Sequence, residues 1–154
     1  MRTEMQRKDF EEILDFAIAR EREAIKFYQN LQNQAQFQDQ KEMLKELEAM
    51  EQNHITIIEK LRQTGVKDED IHKTPNLKIS EYITADPETL DLSYQNILIK
   101  GMKREETSFL LYSEMSVKFP DPEISTLFRH LAADEAQHKK YFENLYDEWM
   151  RKGN

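Results

Sequence analysis

Glu135 and His138 stand three residues apart inside the stretch ISTLFRHLAADEAQHKKYFENLYDEW, residues 124–149. On a helix that spacing puts a carboxylate and an imidazole on one face, about one turn apart. The same face carries Ile124, Leu127, Leu131, Phe142, Leu145 and Trp149, so both polar groups point where apolar residues are buried. Burying them costs free energy unless something compensates, and a metal ion held by both would do so. One Glu-x-x-His arises often by chance, but this chain has two. Leu47, Glu51, His54, Ile58 and Leu61 repeat Leu131, Glu135, His138, Phe142 and Leu145 at a constant offset of 84 residues. The same offset carries Glu21 onto Glu105 and Tyr28 onto Tyr112. Four glutamates and two histidines arranged in this way form a known type of site for two iron or manganese ions in a helical-bundle core. Four carboxylates neutralise two divalent ions, can bridge them, and can change coordination as the metals change oxidation state. Carboxylate with imidazole suits iron or manganese.

The rest of the composition agrees. The 154 residues contain no Cys, which removes disulfides, thiolate metal sites, iron–sulfur clusters and cysteine nucleophiles together. Charged residues make up 34% of the chain, against only three Gly and four Pro, which favours long solvated helices over sheets. A net charge of −8 argues against a nucleic-acid partner and against an anionic membrane surface. No apolar run reaches the length of a membrane span, and the N-terminus MRTEMQRKDFEE lacks the apolar core of a secretory signal. The expected location is cytoplasmic.

Four long helices must position the six residues. The first is expected from about Lys8 to Ala35, with Glu21 on its apolar stripe and Glu12 and Glu23 off it. The second is expected to open at Asp39 as N-cap, with Glu42 as its capping partner, and to stop at Gly65. Residues 65–90 break the helical pattern and read as a crossover, in which LKISEYI is either one helical turn or an extended piece. The third helix is expected from Asp91 or Ser93 to Lys118, with a stripe through Tyr94, Ile97, Leu98, Gly101, Met102, Glu105, Ser108, Phe109, Tyr112 and Met115. The fourth opens at Asp121 as N-cap, with Pro122 at its first position. Glu21 and Glu51 are equally far from the first turn, and Glu105 and Glu135 from the second. In antiparallel hairpins such residues meet side by side, so all six converge at one level. The expected fold is therefore all-α: one domain over residues 1–154, a four-helix bundle of hairpins at about 8–64 and 91–150, with one long crossover between helices 2 and 3. His72 and His130 fall off the stripes and read as exposed; Tyr28 and Tyr112 read as core aromatics.

At this point the chain resembles a known family. Ala17-Ile18-Ala19-Arg20-Glu21 with Phe27-Tyr28, Glu51-x-x-His54, Met102-Lys103-Arg104-Glu105 with Tyr112, and Glu135-x-x-His138 look like the rubrerythrin branch of the ferritin-like superfamily. The resemblance implies a non-haem site with two iron ions per chain, manganese being the alternative metal. By that analogy Glu51 and Glu135 bridge the ions, Glu21 and Glu105 are terminal ligands, and His54 and His138 each face one ion. Two departures stand out. Rubrerythrins proper carry a rubredoxin domain with a four-cysteine iron site, and this chain has no Cys. They also carry a further glutamate one turn beyond the third-helix ligand, where this chain has Ser108.

The resemblance implies a diiron oxidoreductase that reduces hydrogen peroxide or dioxygen with electrons from an external donor protein. The alternative is a ferritin-like iron-binding protein that oxidises and hands on ferrous iron. The family habit also implies a homodimer, for which Phe16 and Phe27, off the apolar stripe, would be the interface aromatics.

Overall fold

A computed structural model describes residues 5–35, 37–75 and 94–152. The described residues form five helices: α1 (Arg7–Gln34), α2 (Gln38–Thr64), α3 (Asp68–Lys73), α4 (Tyr94–Lys118) and α5 (Pro122–Arg151). The all-α class expected from the sequence is the one observed. The described residues divide into two compact units, one of residues 5–75 with 118–122, the other of 94–117 with 123–152.

The first unit is the hairpin α1–α2 with α3 attached. Its polar contacts pair successively earlier residues of α1 with later residues of α2. Gln32 Nε2 and Gln29 Nε2 donate to Glu48 at 2.7 and 3.1 Å near the turn, and His54 meets Glu21 at mid-length. Beyond them Arg62 spans to Glu11 at 2.9 Å and to Asp15. The hydrogen bond to Asp15 holds the Arg62 guanidinium above its already high pKa against the cost of partial burial, so the clamp stays cationic at any working pH. Between these ties the stripe of α1 packs Phe10, Ile13, Leu14, Ala17, Ile18, Ala24, Tyr28 and Leu31 out of solvent. Phe27 is buried too, its ring edge-on to Tyr28 at 6.0 Å, so it is not the exposed interface aromatic that its place off the stripe suggested.

Two boundaries differ from the sequence reading. The N-cap of α2 is Phe37, not Asp39. The helix is already running at Gln38, and Lys41 N–H bonds Phe37 O at 3.1 Å. Asp39 accepts from the neighbouring Gln40 N–H at 2.9 Å, and Glu42 accepts from Gln38 Nε2 rather than closing a capping box. The second difference is α3, a six-residue helix within what read as a pattern-breaking linker. It buries Ile71, receives Arg7 on Asp68 at 2.6 Å and on Val66 O, and its Thr74 O accepts Met5 N–H at 3.2 Å. The LKISEYI segment and the expected start of the third helix at Asp91 or Ser93 lie outside the described residues.

The second unit is the hairpin α4–α5, paired in the same antiparallel sense. Ser125 Oγ donates to Ser116 O near the turn, Tyr112 stacks on Phe128 at 6.1 Å, and Lys139 reaches Glu106 at 3.4 Å. Gln95 Nε2 donates to Tyr146 Oη at 3.1 Å at the far end. Pro122 is the first residue of α5, where its missing N–H costs nothing. The buried stripe of α5 runs Phe128, Leu131, Glu135, His138, Phe142 and Leu145, with Ala132 beside it. Ile124, Leu127 and Trp149, expected in the core, are only half-buried. On α4, Thr107 and Leu111 are buried in addition to the expected stripe, while Tyr94, Ile97, Met102 and Phe109 are half-buried.

Gly65 ends α2 at φ +80°, a backbone conformation that L side chains rarely adopt, yet a Cβ there would meet nothing within 4 Å. Gly65→Ala is therefore expected to destabilise through backbone strain alone, by about 1–2 kcal/mol, read as a lower denaturant midpoint at unchanged slope. An unchanged midpoint would show that the turn relaxes at no cost.

Candidate metal centre

The structure brings the six candidate ligands together as two triads, one in each hairpin. In the first, α1 supplies Glu21 and α2 supplies Glu51 and His54. His54 Nδ1 lies 3.4 Å from Glu21 Oε2 and 3.9 Å from Glu51 Oε1. In the second, α4 supplies Glu105 and α5 supplies Glu135 and His138. His138 Nδ1 lies 3.7 Å from Glu105 Oε2 and 3.9 Å from Glu135 Oε1. The 84-residue repeat in sequence is thus a repeat in space. Each helix carries its ligand at mid-length on the apolar stripe, and the antiparallel pairing sets the lone glutamate of one helix beside the Glu-x-x-His of the next.

All six residues are at most 2% exposed. Such burial is rare for carboxylates unless they are paired or bound to metal. Within each triad one donor atom per residue lies within 4.8 Å of the other two. A first-row ion holds nitrogen and oxygen ligands at about 2.1 Å, so two ligands of one ion lie no more than about 4.2 Å apart. The His–Glu separations in both triads fall inside that limit, and Nδ1 is the imidazole nitrogen presented to the carboxylates. Among the described residues, the buried Asp, Glu and His groups close enough to share an ion are all drawn from these six. His72 and His130 are exposed, and Tyr28 and Tyr112 are fully buried, as their positions in the sequence imply.

The buried Glu/His clusters on long helices fit a carboxylate–histidine metal site of the kind that binds iron. The chain belongs to the rubrerythrin family, whose family model matches residues 12–146 and so takes in all six candidate ligands. No solved structure matches the chain. Among the described residues no helix is long and apolar enough to cross a membrane.

A site of this kind is held against the preference of its own residues. Without metal, Glu51 crowds Glu21 and His54 in an apolar interior, and replacing buried charges with apolar groups of similar size is often stabilising. Glu51→Leu is expected to make the metal-free protein more stable by about 1–3 kcal/mol, while abolishing the rise in melting temperature on adding ferrous iron. Thermal melts with chelator and with iron check both halves. A metal-free variant less stable than the wild type would mean that Glu51 supports the fold directly.

Proposed function

We propose that the two triads close on one dinuclear iron site and that the protein is a non-haem diiron oxidoreductase reducing hydrogen peroxide or dioxygen. The observation that carries this reading is the duplication. The same buried Glu and Glu-x-x-His set occurs in each hairpin, at matching positions of an 84-residue repeat, in a chain of the rubrerythrin family. In this reading the six residues would hold the iron, Glu51 and Glu135 as shared carboxylates, Glu21 and Glu105 as terminal ones, and His54 and His138 one for each ion. Four carboxylates then balance two divalent charges, two from each triad.

An iron pair bound there would supply two electrons, one from each ion, which with two protons take one hydrogen peroxide to two waters. The chain's own part is to hold six ligands on rigid helices and to keep bulk water out. Tyr28, Ile58, Tyr112 and Phe142, none measurably exposed, stand one or two turns from the ligands on the same helices. The 154 residues contain no cysteine that could hold a thiolate iron centre, so re-reduction falls to a donor protein outside them.

Loaded anaerobically with ferrous iron, the protein is expected to hold two irons per chain and to consume two reducing equivalents per peroxide through many cycles with an added reductant. Glu135→Ala should bind fewer than two irons and lose turnover by more than about 100-fold, since even outer-shell changes at metal sites cost about 10–100-fold. Iron uptake continuing past two per chain, with oxygen consumed independently of the reductant, would favour the iron-handling reading instead. A stoichiometry of one iron, unaltered by Glu135→Ala, would sink the dinuclear site.

A further inference from the structure

The two halves of the repeat differ in one buried polar group on the ligand face. One turn beyond Glu21 on α1 stands Ala24; one turn beyond Glu105 on α4 stands Ser108. Both are 5% exposed, so the two positions are equally enclosed and alanine evidently fills such a place. Serine is a poorer helix former than alanine, and burying its hydroxyl adds a desolvation cost. Neighbouring hydroxyls on α4 spend that cost on the backbone: Thr107 Oγ1 donates to Lys103 O at 3.0 Å and Ser116 Oγ to Ser113 O at 2.7 Å. Among the described residues Ser108 Oγ makes no such bond, and it is not one of the fully enclosed polar atoms, so it keeps some accessible surface. Its side chain begins about 5–6 Å from that of Glu105, on the same buried side of the helix.

We infer that Ser108 is a ligand-binding residue: its hydroxyl hydrogen-bonds a small exogenous oxygen or nitrogen ligand, of the peroxide class, on the Glu105–His138 half of the site. This rests on the diiron reading above and gives that site a direction. The hydroxyl has no counterpart in the first hairpin, where Ala24 offers only a methyl group at the matching position of the repeat. A hydroxyl can donate to a ligand atom and accept from its proton, which suits a ligand that arrives protonated and leaves as water.

The test uses azide as the probe, titrated spectroscopically into the diferric wild type and Ser108→Ala, with iron counted in each and melting temperatures taken on the metal-free forms. The expected result is two irons in both proteins, azide affinity about fivefold weaker in Ser108→Ala, and a metal-free variant melting no lower than wild type. Unchanged azide affinity at full iron loading would overturn the inference. So would a metal-free Ser108→Ala that melts clearly lower, since the serine would then be a structural element. A wild type that holds only one iron would instead remove the diiron reading, and this inference with it.

Discussion

Carboxylates buried in an apolar helical interior are the constraint on which the rest of this protein depends. Glu21, Glu51, Glu105 and Glu135 sit where a bundle would ordinarily place leucine, and each is at most 2% exposed. An isolated buried charge is too costly to keep. Two histidines share the interior with them, and the donor atoms in each triad lie at separations one metal ion can span. The apolar stripes above and below the ligand level supply the free energy that holds these groups out of water. Such a cluster opposes the stability of its own fold unless a metal compensates it, a common trade between stability and function.

Register is what turns four striped helices into ligand triads. A helix turns about 100° per residue, so a one-residue slip between α1 and α2 would swing Glu21 away from His54. The first hairpin is fixed on both sides of the triad, by Gln29 and Gln32 on Glu48 toward the turn and by Arg62 on Glu11 and Asp15 toward the open end. The second is fixed by Tyr112 on Phe128 toward the turn, by Lys139 on Glu106 near mid-length and by Gln95 on Tyr146 at the far end. Exposed ion pairs contribute little to stability. Here their place in the ladder gives them a second consequence, the alignment of buried ligands.

Much of this was legible in the sequence because it is periodic. Glu-x-x-His twice at one offset, with a lone glutamate repeating alongside, needs only helix geometry to be read as two matching triads. What escaped the reading is set by local geometry or by breadth of packing. The N-cap of α2 falls on Phe37, so Asp39 is already inside the helix, and no propensity scale carries where a helix begins after a turn. The six residues of α3 are too few to show a period; their helix depends on contacts from Met5 and Arg7, more than sixty residues earlier. Phe27 and Phe128 are buried although they lie off the single line of each stripe, because a core-facing stripe spans at least about 100° of the helix surface.

The repeat also exposes its own asymmetry. Two hairpins with matching candidate ligands could have kept matching neighbours, yet Ala24 stands one turn from Glu21 and Ser108 one turn from Glu105, at equal burial. A duplicated scaffold explains why ligand positions match, and divergence at the ligand-facing positions is where a symmetric metal site would acquire one reactive side.

The central claim is that triads on separate hairpins serve one dinuclear centre rather than two mononuclear ones. Magnetic measurement of the iron-loaded, oxidised protein tests it most directly, by variable-temperature susceptibility or Mössbauer spectroscopy in an applied field. Carboxylates bridging two ferric ions couple their spins, so the account predicts antiferromagnetic coupling and a diamagnetic ground state at low temperature. Two independent high-spin ferric signals, one iron per hairpin with no coupling between them, would contradict it.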